Sequence, residues 1–76
     1  MTFGKELQRF RKNSGLTQKE VSKHFGWTSA QYVSNFERDI APCPVSTLKE
    51  LCKLYEVEEK KMKSIWIKHQ KLRWQV

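Results

Sequence analysis

The sequence has little with which to staple or interrupt itself: two cysteines, two prolines and three glycines in 76 residues. Cys43 and Cys52 show no CxxC spacing, and His24 and His69 stand in distant segments, so no metal-ligand pattern is present. The expected state is two reduced thiols, Cys52 in the core and Cys43 in a loop, with no metal and no cofactor. No apolar run is long enough to span a bilayer, which argues against membrane insertion. The opening "MTFGKELQRF" lacks the apolar stretch of a secretory signal, so the cytoplasm is the expected compartment. No nucleophile stands beside a base and no carboxylate pair converges, so the chain does not read as an enzyme. At this length one domain with a modest core is feasible, but a deep active-site cavity is not.

Acid is missing from one region altogether. Residues 60–76 carry Lys60, Lys61, Lys63, Lys68, Lys71 and Arg73 and no carboxylate, a charge of +6 out of the +7 for the whole chain. A small basic protein suggests a polyanionic partner, yet residues 1–59 are left almost neutral. The surface aromatics define no stacking groove for single-stranded bases, which disfavours an RNA-binding reading.

What the sequence does have is helix punctuation. Phe3, Leu7 and Phe10 recur on one helical face, and "NSG" ends that helix, with Gly15 suited to a left-handed C-terminal position. In "LTQKEV", Thr17 and Glu20 form a capping box, with Leu16 and Val21 as a hydrophobic staple. Val21 and Phe25 face inward, Ser22 is small enough for a close helix crossing, and Gly26 stops the helix. "WTSAQY" then repeats the pattern: Thr28 is the expected N-cap, Gln31 its reaching partner, and Trp27 with Tyr32 a second staple. Gln31 could be a cap alone or a base contact. Val33 and Phe36 continue inward, which leaves Gln31, Asn35 and Arg38 on the polar side of a helix from about 28 to 38.

"APCP" breaks the chain. In "VSTLKELCKLYEV", Ser46 or Thr47 is the expected cap, with Leu48, Leu51, Cys52 and Tyr55 on one face and Leu54 and Val57 extending the core. Residues 58–75 contain no glycine or proline and read as one long helix. Its stripe is Met62, Ile65, Trp66, His69, Leu72 and Val76, while Ile67 and Trp74 share another side among lysines. No segment has strand periodicity, so the fold class is all-α. The expected division is a core domain over 1–57, and a basic amphipathic helix over 58–76 that completes the same domain or dimerises.

Arg11, "GLTQKEVSKHFG", "VSNFER" and "PVSTLKELCKLYEV", in that order over residues 3–57, resemble the lambda-repressor and Cro-like helix-turn-helix (XRE) family. Two departures stand out: one extra residue between Gly26 and Val33, and Ser22 where the family has alanine. The resemblance implies a five-helix domain whose third helix enters the major groove of double-stranded DNA. It implies base contacts from Ala30, Gln31 and Asn35, and phosphate contacts from Gln18, Lys23, Thr28, Ser29 and Arg38. It also implies a largely buried Arg11–Glu37 ion pair of structural role. Relatives act as two-fold dimers on near-palindromic sites, and Ile67 and Trp74 are the candidate dimer contacts. The expected function is a sequence-specific transcriptional regulator, a repressor in the family pattern. The competing expectation is a protein-interaction adaptor, such as an antitoxin or inhibitor, on the same scaffold.

Overall fold

The computed structural model describes residues 2–70. They form five helices in the order α1 (Phe3–Asn13), α2 (Gln18–His24), α3 (Gln31–Glu37), α4 (Val45–Tyr55) and α5 (Glu59–Gln70), and no strand occurs among the described residues. The fold is all-α, as the absence of a period-two segment predicts.

α1 lies at the centre of the packing. It touches α3, α4 and α5, while α2 packs on α3 and α4 on α5. Its apolar face, Phe3, Leu7 and Phe10, joins Val21, Val33, Leu48, Leu51, Cys52, Tyr55, Met62 and Trp66 in one core. Met62 and Trp66 belong to that core, so α5 is held over 62–66 by the same burial that holds α1 and α4. Lys61 also sets its ammonium 5.7 Å from the centre of the Phe10 ring. Cys43 sits in the 38–44 connection and is nevertheless buried, like Cys52. Leu72, Trp74 and Val76 lie outside the described residues. Ile67 is on α5 and 40% exposed.

The first four helices stop in one recurring way. After α1, the Leu16 N–H bonds to the Arg11 carbonyl and the Gly15 N–H to that of Lys12. After α2, Trp27 bonds to Ser22 and Gly26 to Lys23. After α3, Ile40 bonds to Asn35 and Asp39 to Phe36, and after α4 Val57 bonds to Cys52. Each stop turns on a residue with positive φ: Gly15, Gly26, Asp39 and Glu56. These pairings satisfy carbonyls that a helix end otherwise leaves bare. The two glycines were expected in this role; Asp39 and Glu56 were not.

Two helix starts differ from expectation. α3 begins at Gln31, with Ala30 as N-cap and no side-chain cap, so Thr28 does not cap it and Gln31 does not complete a box. The extra residue of this turn is absorbed in the non-helical stretch 28–30. α4 begins at Val45 with Pro44 as N-cap, ahead of Ser46 and Thr47. Pro44 is fixed near φ −59°, and its carbonyl accepts from the Leu48 N–H at 2.9 Å, which starts the helix without a hydroxyl cap.

Candidate nucleic-acid interface

The corner between α2 and α3 is built from local chemistry. Thr17 Oγ1 accepts the Glu20 N–H at 3.1 Å, and Glu20 Oε1 accepts the Thr17 N–H at 2.9 Å, so the predicted capping box is complete. The Thr17 main-chain N–H, followed by its side chain, holds the Glu20 carboxyl below its ordinary range. Val21 is fully buried and Ser22 nearly so.

α3 has only seven residues and no side-chain cap, too short to persist without tertiary support. An aromatic cluster supplies that support at its N-terminal end. Trp27 stacks on Phe25 at 4.5 Å, tilts against Tyr32 at 5.0 Å and meets Phe36 edge-on at 6.1 Å. The expected Trp27–Tyr32 staple is therefore in place even though its cap is not. Tyr32 remains 57% exposed.

The other end of α3 is fixed by charge. Arg11 Nε donates to Glu37 Oε2 at 2.6 Å and Arg11 Nη2 to Glu37 Oε1 at 3.1 Å, both groups being buried. Arg11 Nη1 reaches the Leu16 carbonyl at 2.8 Å. Gln18 Nε2 donates to Glu37 Oε1 at 2.9 Å. One carboxylate thus collects α1, the start of α2 and α3. The desolvation of both ions is offset by a bidentate geometry and by the additional donor from Gln18. One Gln18 amide proton is committed to this network.

Asp39 adds a tie that the sequence did not announce. Its Oδ1 accepts the Gly4 N–H at 2.9 Å, satisfying one of the unpaired donors at the start of α1. Thr2 accepts a second, that of Lys5, at 3.2 Å.

On the outer surface the predicted residues separate into two groups. Lys23, Thr28, Ser29 and Ala30 line one open groove together with Lys19, Ser22 and Trp27. Lys19 was not among the candidates; its place one helical turn before Lys23 was the available signal. The groove offers the ammonium groups of Lys19 and Lys23 and the exposed hydroxyls of Thr28 and Ser29, donors suited to an anionic oxygen, while the Ser22 hydroxyl is buried. Gln31 and Asn35 lie beyond it on α3, where Gln31 Nε2 donates to Asn35 Oδ1 at 2.9 Å. Gln31 is exposed and Asn35 half-buried, and Ser29 Oγ takes the Gln31 main-chain N–H at 3.3 Å. Arg38 is exposed at the C-terminal end of the same helix. Among the described residues no group of three His, Cys, Asp or Glu side chains could hold a metal ion, and no helix is long and apolar enough to cross a membrane.

An all-helical core that holds a capped helix, a turn and a second short helix with a polar outer side defines a helix-turn-helix protein. Residues 2–63 match the family model of the helix-turn-helix domain, and the chain belongs to that family. The match is consistent with the lambda-repressor and Cro-like resemblance of the sequence. Comparison with curated proteins and with solved structures gives no match. Membership implies DNA binding and suggests a regulator, in a family that is typically non-enzymatic.

Proposed function

We propose that this chain is a sequence-specific double-stranded-DNA-binding transcriptional regulator that represses by occupying an operator. The observation that carries the proposal is the placement of Gln31 and Asn35 on the solvent side of a short helix pinned at both ends. In this reading α3 enters the major groove, which admits a helix, and Gln31, Asn35 and Ala30 face base edges. Lys23, Thr28 and Ser29, joined by Lys19, hold backbone phosphate along the groove beside α2. Gln18 and Arg38 make flanking phosphate contacts. Such contacts fix register without carrying sequence information.

Dimerisation through Ile67, exposed on α5, and Trp74, which lies outside the described residues, would place two copies of α3 on half-sites about 34–36 Å apart. The lysines beside that contact would add electrostatic attraction to the duplex. No cofactor enters this function.

Selection of bound sequences from a random duplex pool, followed by titration against salt, tests the proposal. The selected site is expected to bind roughly 10³-fold or more tightly than random duplex. Affinity should fall steeply as salt rises, because phosphate contacts release counterions. Binding with a salt slope but no sequence preference would end the regulator reading and favour a protein-interaction adaptor. Sedimentation with and without the selected duplex measures the proposed dimer separately.

A further inference from the structure

The Ser22 hydroxyl is buried without a hydrogen-bond partner, in a residue only 1% exposed. It has no task in the turn, because the Ser22 main-chain carbonyl already accepts the Trp27 N–H at 3.0 Å. Leaving a buried hydroxyl unsatisfied is a net cost to folding, and alanine would fill nearly the same volume without it. A group of this kind calls for an explanation.

Ser22 lines the groove between α2 and the 28–30 stretch, a space of about 420 Å³. No carboxylate lines that groove. Among the described residues neither Lys19 nor Lys23 enters an ion pair. Ser29 Oγ accepts the Gln31 main-chain N–H, which leaves its own proton to donate. Phe25 backs the Trp27 indole at 4.5 Å, nearly parallel, and so fixes the aromatic wall.

We infer that this groove binds a small phosphate monoester carrying a flat ring, and that its occupancy releases the duplex. The release rests on the proposed phosphate contacts of Lys23, Thr28 and Ser29; the binding itself does not.

The chemistry selects this class. A phosphate monoester carries a charge of about −1.5 to −2 at pH 7, whereas each phosphate of a duplex carries one. Two unpaired ammonium groups, about 6 Å apart along the helix axis, match the higher charge. The hydroxyls of Thr28 and Ser29 suit the remaining oxygens. The Ser22 hydroxyl supplies a further donor once an acceptor reaches the groove floor. Trp27 provides a surface on which a ring can stack. An apolar wall with a few convergent polar groups, in a volume of roughly 300–1,000 Å³, is the usual form of a small-ligand site.

The test titrates the full chain with phenyl phosphate, without DNA and at constant ionic strength, followed by amide chemical shifts and calorimetry. Shifts should centre on residues 19–30. Phenyl phosphate should bind about ten-fold or more tightly than inorganic phosphate, which lacks the ring, or phenol, which lacks the charge. Ser22→Ala should weaken binding about three-fold or more while leaving the thermal midpoint unchanged or raised, since it deletes an unsatisfied group. A merely structural serine would move the midpoint alone. Lys19→Gln, at an exposed position, should also weaken binding about three-fold or more.

Equal binding of inorganic and phenyl phosphate would overturn the inference, as would shifts outside the groove or unchanged affinity in Ser22→Ala. A selected duplex that stays bound at saturating phenyl phosphate would overturn the release. Phenyl phosphate binding in a chain that prefers no duplex sequence would instead end the operator reading and leave the ligand site standing.

Discussion

Gly4 of α1 rests directly on the main chain of Glu37 at the end of α3. A β-carbon at residue 4 would overlap the Glu37 carbonyl oxygen, and would lie 2.7 Å from the Glu37 carbonyl carbon and 2.8 Å from the Phe36 carbonyl oxygen. These are backbone atoms, which cannot swing aside as a side chain would. The same close approach lets the Gly4 N–H reach Asp39 and brings Arg11 onto Glu37. The orientation of α3, and with it of Gln31 and Asn35, therefore depends on an absent side chain on a different helix.

Gly4→Ala tests that dependence with a conflict of signs. Alanine is favoured over glycine within a helix by about 1 kcal/mol. Overpacking against fixed neighbours costs about 1–3 kcal/mol. Packing should win, so urea unfolding is expected to show a net loss of stability and weaker duplex binding in the surviving folded fraction. A net gain would mean that α1 and α3 slide apart without penalty.

Glu37→Ala should be more damaging. It strands the buried Arg11 guanidinium and removes the acceptor of Gln18. Breaking one side of a buried pair costs about 3–5 kcal/mol, a large share of the roughly 4–11 kcal/mol expected for a domain of this size. Replacing both partners, Arg11→Met with Glu37→Leu, removes the uncompensated charge and should recover much of the loss. Thermal midpoints of the single and double variants measure this, and equal destabilisation in both would refute the stranded-charge account.

Much of this architecture was legible because it is written locally. The Thr17–Glu20 capping box, the stops at Gly15 and Gly26, and the apolar faces of α1 and α4 involve residues a few positions apart. The Arg11–Glu37 pair became legible through family resemblance, not through spacing. The misplaced features depend on distant partners or on backbone freedom. Thr28 had the composition of a cap, but the longer turn let the aromatic contacts of Trp27 decide where α3 begins. Asp39 caps a helix 35 positions away, which no local pattern could announce. Lys19 was no candidate, because it joins the groove only through the fold, which sets the turn at 28–30 beside it.

The left-handed stops at Asp39 and Glu56, with φ of 60° and 56°, invite a paired substitution. A non-glycine residue there carries a cost of about 1–2 kcal/mol, which aspartate bears better than most side chains. Glu56 accepts no hydrogen bond that would compensate among the described contacts, so Glu56→Gly should raise stability by about 0.5–1 kcal/mol. Asp39→Gly relieves similar strain but loses the bond to the Gly4 N–H, a cap of about 0.5–2 kcal/mol. It should be neutral or destabilising. Denaturant midpoints of the two variants separate backbone strain from capping; a gain of equal size in both would show that the Asp39 bond contributes nothing.

Burial pushes the Cys43 thiol up to about 12, and burial with the nearby Glu59 charge pushes Cys52 up to about 11. Both are buried free thiols, and only the thiolate is an effective nucleophile. Alkylation at pH 8 should therefore be slow in the folded protein and rapid in urea. The sign of the linkage follows from proton retention: above about pH 9 the unfolded chain loses thiol protons that the folded chain keeps. Their contribution is complete below the unfolded value and fades as pH climbs through 9 toward 11 and 12. Relative to a Cys43→Ala, Cys52→Ala double variant, the wild type should lose stability faster over pH 9–11. Parallel pH profiles for the two proteins, or fast native alkylation, would contradict the buried placement of these thiols.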